Sequence, residues 1–92
     1  MKLLESIFAS KAQAKLIKLF FQNPNLKFYQ RELAAKTAES LGSIQYEIKR
    51  LSEIGLIESE KNQRKVFYSL NRNFYLYSEI RDIVLKTAQK NL

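Results

Sequence analysis

Leu41, Ile44, Ile48 and Leu51 recur at three- and four-residue steps, and Gly55 breaks that rhythm just before the apolar pair Leu56-Ile57. Apolar residues at this spacing share one face of an α-helix, so the segment must lay that face on a core and turn the other outward. Ser40 is placed to cap the helix, because its hydroxyl can accept from a free amide two or three residues on. Gly55 can take the left-handed conformation that closes it. Just upstream, Gln30 to Ala38 reads as another helix, with Leu33 and Thr37 one turn apart and Glu32 near its positively polarised start. The two helices are separated by little more than Ala38-Glu39, the tight connection of a helix-turn-helix.

Downstream, Leu56–Glu60 and Lys65–Leu70 read as two strands around Lys61-Asn62-Gln63-Arg64. Val66, Tyr68 and Leu70 alternate as a half-buried strand requires, and Asn62 supplies the turn tendency. Leu26 to Tyr29 is apolar and aromatic enough for a further short strand. Ser10 can cap a helix whose buried stripe is Ala12, Leu16, Ile17, Phe20 and Phe21, with Lys11, Lys15 and Lys18 as an opposite, solvated ridge. Asn23-Pro24-Asn25 stops that helix, since proline disfavours helical geometry in the residue before it.

At 92 residues the chain is expected to be one domain over 1–92, with the helix-turn-helix at about 30–54, a hairpin at about 56–70 and a last helix at about 74–90. The fold class is mainly α with a small β-hairpin. A net charge of +7 points to a polyanionic partner, because each phosphate neutralised releases a counterion. The chain has no Cys and no His, so thiolate chemistry, imidazole general-base catalysis and the common zinc sites are excluded. Neither metal nor cofactor is expected. Met1 to Phe8 is too short and interrupted for a signal peptide, and no apolar run reaches membrane-spanning length, so a cytoplasmic protein is expected.

Placing 41–54 at 100° per residue leaves Gly42, Ser43, Tyr46 and Arg50 outward, flanked by Gln45 and Lys49. This chemistry suits a DNA major groove. Ser and Gln both donate to and accept from base edges, and Arg grips guanine through two hydrogen bonds. Tyr46 offers a ring for a thymine methyl and a hydroxyl for a phosphate. Gly42 removes a side chain where the helix would approach closest, and Ser40 with the free amides beside it could bind phosphate. Lys61, Asn62, Gln63, Arg64 and Lys65 form a cationic loop fit for the backbone or the minor groove. Tyr29, Gln30 and Arg31, at the start of the helix that crosses the backbone in such motifs, are candidate phosphate contacts. A structural role for the Tyr29 ring competes with that reading, as a merely solvated face competes for the long helix.

The last helix carries Leu76, Tyr77, Ile80, Ile83, Val84, Thr87 and Ala88 over a wide arc, and Leu3, Leu4, Ile7 and Phe8 share one face of a short amino-terminal helical segment. The surplus of apolar surface suggests a homodimer joined through both chain ends. Closure of both ends over the chain's own core is the alternative.

These residues resemble winged-helix regulators of the arsenic-repressor type, especially the small group whose domain also occurs fused in front of nucleotidyltransferases. The likeness is carried by Ser10-Lys11-Ala12-x-Ala14-Lys15-Leu16, Phe28-Tyr29-x-Arg31-Glu32-Leu33-Ala34, Ser40-Leu41-Gly42-x-Ile44-Gln45, Leu51-x-x-Ile54-Gly55-Leu56-Ile57 and Arg64-Lys65-x-Phe67-Tyr68-x-Leu70-Asn71. It implies a homodimer that binds palindromic double-stranded DNA and acts as a repressor. Two departures stand out. The turn carries Ala38-Glu39 where the family has Gly and an apolar residue, which strains the backbone and brings an acid toward the phosphates. The Cys and His clusters of the metal sensors are absent, so metal response does not transfer. The chain also ends where a fused transferase would begin, so transferase activity is not expected.

The competing functions are a winged helix used for protein association, as the regulatory partner of another protein, and RNA binding by the same basic surface. Exposed Phe67 and Tyr75 would serve the former. An enzyme is disfavoured by the lack of a nucleophile–base pair, paired acids or a phosphate-cradling glycine loop.

Overall fold

A computed structural model describes residues 8–90, and within them six elements follow one another along the chain. They are α1 (Lys11–Gln22), α2 (Gln30–Thr37), α3 (Leu41–Glu53), β1 (Ile57–Asn62), β2 (Lys65–Leu70) and α4 (Tyr77–Lys90). The architecture is the winged-helix fold. Leu3, Leu4 and Ile7 lie outside the described residues. Phe8 is in a bend rather than a helix, and it packs against the core.

Each helix starts and stops where its side chains dictate. Ser10 Oγ accepts from the Gln13 amide at 3.0 Å and opens α1, and Asn23 Nδ2 closes it by donating to the Leu19 carbonyl at 2.9 Å. Pro24 then forbids continuation. Ser40 Oγ accepts from the Ser43 amide at 3.1 Å and opens α3. Gly55, at φ 89°, ends it in the left-handed region where a side chain would be strained. The helical stripes then meet one another. Leu16, Phe20, Leu33 and Ile44 are fully buried, from three different helices. Phe20 and Phe28 pack edge to face with ring centroids 5.6 Å apart.

β1 and β2 pair antiparallel in register from Ile57 opposite Leu70 to Asn62 opposite Lys65. The first strand therefore runs through Lys61 and Asn62, which the sequence places in the loop, and the turn shrinks to Gln63-Arg64. Gln63, not Asn62, takes the left-handed conformation, at φ 59°. The expected strand at Leu26–Tyr29 is reduced to one bridge, with Phe28 and Tyr68 exchanging both backbone hydrogen bonds at 2.9 and 2.7 Å. Pro24 and the helix start at Gln30 leave no room for a longer ladder.

α4 begins at Tyr77 rather than near Phe74. Asn71 explains the delay: its Nδ2 donates to the Gly55 carbonyl, and its Oδ1 and carbonyl accept from the Asn73 and Phe74 amides. These bonds commit the segment to turns. Once started, α4 lies on α1, with Tyr77 and Phe21 ring centroids 5.1 Å apart and Val84 in the common core. Val84 is 1% and Thr87 5% exposed in the single chain, so neither has surface left for a second subunit. Their expected place in a dimer interface is corrected accordingly. Tyr77, Ile80 and Ile83 are half-buried against the same core, whereas Leu76 remains exposed. Among the described residues no helix is long and apolar enough to cross a membrane.

Candidate nucleic-acid interface

The stripe that buries Ile44, Ile48 and Leu51 fixes the rotation of α3, and its opposite face points outward. Gly42, Ser43, Gln45, Tyr46, Lys49 and Arg50 are all exposed. The Ser40 hydroxyl donates to Ser43 Oγ at 3.0 Å, at the amino end of the helix. A Cβ added at Gly42 would meet nothing in the chain within 4 Å, so internal packing does not require glycine there. Arg50 lies across Tyr46, with its guanidinium carbon 5.6 Å from the ring centroid and Nη1 donating to the hydroxyl at 3.2 Å. That hydrogen bond, with a smaller electrostatic contribution from Tyr46, raises the Arg50 pKa further above its ordinary value. The guanidinium is thus a permanent cation on a partly fixed arm.

The hairpin supplies the second protrusion. Lys61, Asn62, Gln63, Arg64 and Lys65 are all exposed at its tip. Lys65 Nζ sits 5.2 Å over the Tyr29 ring, and Tyr29 meets Phe67 edge to face at 5.9 Å. Tyr29 therefore braces the wing against the start of α2, which gives the ring the structural role weighed above. Between wing and α2 lies a hollow of about 560 Å³ lined by Tyr29, Gln30, Arg31, Arg64, Lys65, Val66 and Tyr68. It gathers three cations and no acid. Among the described residues the ion pairs are Lys15–Glu39, Lys27–Glu60 and Arg81–Asp82, so Arg31, Lys49, Arg50, Lys61, Arg64 and Lys65 meet no carboxylate at ion-pair distance.

Two features answer the doubts raised by the turn. Ala38 adopts φ 57° and ψ 33°, the left-handed geometry that glycine takes without strain. Glu39 is held by Lys15 Nζ at 2.8 Å, and the same ammonium donates to the Thr37 carbonyl at 2.9 Å. Its charge is neutralised from the α1 side, and Lys15 is not part of a merely solvated ridge.

Glu47 was missed by sequence reasoning. It is only 4% exposed, accepting from Ser10 Oγ at 2.9 Å and Gln13 Nε2 at 3.0 Å. Gln13 Oε1 in turn accepts from the Ala9 amide at 3.0 Å. A buried carboxylate here ties the rotation of α3 to the start of α1. The signal was present, because position 47 falls three residues after Ile44 and four before Leu51, inside the buried stripe. Phe67 and Tyr75 belong to separate ring pairs, Phe67 with Tyr29 and Tyr75 with Phe74. Among the described residues no group of three or more Asp or Glu side chains could hold a metal ion.

No family model matches the chain, and no curated protein matches it. Solved structures do. The chain is similar to a point mutant of ZitR from Lactococcus lactis, with a TM-score of 0.71 at 19% identity over 92% of this chain and 56% of that one. It is similar to MepR, a transcription regulator of the Staphylococcus aureus multidrug efflux pump MepA, with a TM-score of 0.71 at 16% identity. That match covers 95% of this chain and 66% of MepR. Wild-type ZitR in complex with DNA matches with a TM-score of 0.61 at 20% identity, over 90% of this chain and 60% of that one. The chain thus spans about half to two thirds of these regulators, and the likeness establishes the winged-helix fold.

Proposed function

We propose that this protein is a sequence-specific double-stranded DNA-binding transcriptional regulator of the arsenic-repressor-like type. It acts in the cytoplasm as a homodimeric repressor and is not an enzyme. The observation that carries the reading is the placement of uncompensated charge. α3 presents Lys49 and Arg50, and the wing and α2 present Arg31, Lys61, Arg64 and Lys65, all exposed and, among the described residues, none in an ion pair with a carboxylate. In this reading α3 enters the major groove, with Ser40, Gly42, Ser43, Gln45, Tyr46, Lys49 and Arg50 at the duplex. Lys61, Asn62, Gln63, Arg64 and Lys65 lie on the backbone or in the minor groove, and Tyr29, Gln30 and Arg31 flank a phosphate. The fold shared with a regulator solved on DNA supports this. A homodimer would place two copies of α3 in successive major grooves about one helical turn apart. Exposed Leu76, with Leu85 on the outer side of α4, leaves apolar surface for that contact.

Selection from a random duplex pool followed by anisotropy titrations tests the reading. A palindromic preference is expected, with affinity falling steeply as salt rises. Arg50→Ala should relax preference at one base pair per half-site, at a cost of about 1–3 kcal/mol, whereas Lys65→Ala should weaken all duplexes alike. If both variants bind duplex as the parent does, this face is not the interface.

A further inference from the structure

Gln30, at the start of α2, joins the wing to α3 through its side chain. Its Nε2 donates to the Tyr68 hydroxyl at 3.2 Å, and its Oε1 accepts from Gln45 Nε2 at 3.3 Å. The three residues line one hollow of about 410 Å³ between α3 and the hairpin. The Tyr68 backbone is already satisfied by Phe28, and its hydroxyl meets no group other than Gln30 among the described residues. Gln45 is exposed in the first half of α3, where the side chains of a recognition helix commonly reach base edges.

A free glutamine amide rotates, and its carbonyl and amino ends exchange places. The relay removes that freedom. With one Nε2 hydrogen engaged by Gln30, Gln45 presents Oε1 as an acceptor beside its remaining Nε2 hydrogen as a donor. That pair matches the N6 donor and N7 acceptor of adenine in the major groove. We propose that Gln45 reads an adenine, and that Tyr68 and Gln30 are positioning residues that hold its amide in the reading orientation. The proposal rests on the duplex-DNA reading given above. It also makes the wing part of base discrimination, although Tyr68 is half-buried and acts through Gln30. Reversing every donor in the relay would present both Nε2 hydrogens of Gln45 and favour guanine, whose edge offers two acceptors.

The test uses the full chain and duplexes that differ one base pair at a time from the selected site. Wild type, Gln45→Ala, Tyr68→Phe and the double variant are compared by competition binding. Wild type is expected to prefer adenine at one position per half-site, and Gln45→Ala to lose the preference there alone. Tyr68→Phe keeps the backbone bridge to Phe28, so the fold should survive. It is expected to reduce the adenine preference about threefold to tenfold, the range a single hydrogen bond sustains. Affinity for an unrelated duplex and its salt dependence should not move, and the double variant should be no worse than Gln45→Ala. Full adenine preference in Tyr68→Phe, or guanine at the Gln45-dependent position, overturns the relay while leaving DNA binding intact. Failure of wild type to bind any duplex overturns both.

Discussion

Lys15 Nζ lies 2.8 Å from Glu39 Oε2, so a lysine of α1 pins the turn that sets α2 against α3. The same ammonium also bonds the Thr37 carbonyl, one of the acceptors that the end of α2 leaves without a helical partner. Because the two side chains are 32% and 20% exposed, the ion pair itself contributes modestly. Replacing Lys15 by Met, which keeps the aliphatic stem, should therefore cost only about 0.5–1.5 kcal/mol. Circular dichroism melts should show a fall of a few degrees. The same variant leaves Glu39 unneutralised beside the proposed phosphate path, so duplex affinity should fall in low salt and approach the parent value in high salt.

Ala38 sits in the left-handed region, where its Cβ crowds the backbone. Ala38→Gly should raise stability by roughly 0.5–1 kcal/mol, the strain relieved exceeding the extra entropy glycine gives the unfolded chain. Chemical denaturation should show a higher midpoint at unchanged slope. A lower midpoint would mean that the turn does not hold the geometry described.

Glu47 accepts from both Ser10 and Gln13 in the interior. Glu47→Ala strands those donors and should cost about 2–3 kcal/mol, while Glu47→Gln retains one acceptor and should cost less. Equal stability of the two variants in urea titrations would show that the network does not hold α3 in place.

Leu85 is 53% exposed on α4, whereas Val84 beside it is buried. If copies associate through α4, Leu85→Glu should shift sedimentation toward the monomer and remove the concentration dependence of the melting temperature, while changing the monomer's own stability by no more than about 0.5 kcal/mol, as expected of a surface site. Ile83 is a poorer probe, because it packs on the chain's own core.

The helix-turn-helix was legible in sequence because its defining signals are local and strong. Ser40, the stripe from Leu41 to Leu51 and Gly55 specify one helix in one orientation, and that orientation alone turns Tyr46 and Arg50 outward. The wing was legible as a hairpin but not in its register. Gln63 has no intrinsic turn preference, and the strands on either side of it pull it into the left-handed conformation. The long-range pairings escaped because periodicity says only that a residue faces in or out. Lys15 reads as solvated until Glu39, twenty-four residues away, is folded beneath it. Glu47 reads as a surface acid until Ser10 and Gln13 supply its donors. The arc of apolar residues on α4 could not reveal that Val84 and Thr87 are already covered within the single chain.

Mapping amide and side-chain chemical shifts of the full chain during titration with its selected duplex tests the central claim most directly. The largest changes are expected at Ser43, Gln45, Tyr46 and Arg50 of α3 and at Gln63, Arg64 and Lys65 of the wing, with α4 nearly silent. Changes centred on Tyr75 and Leu85, with Tyr46 and Arg50 unmoved, would contradict it.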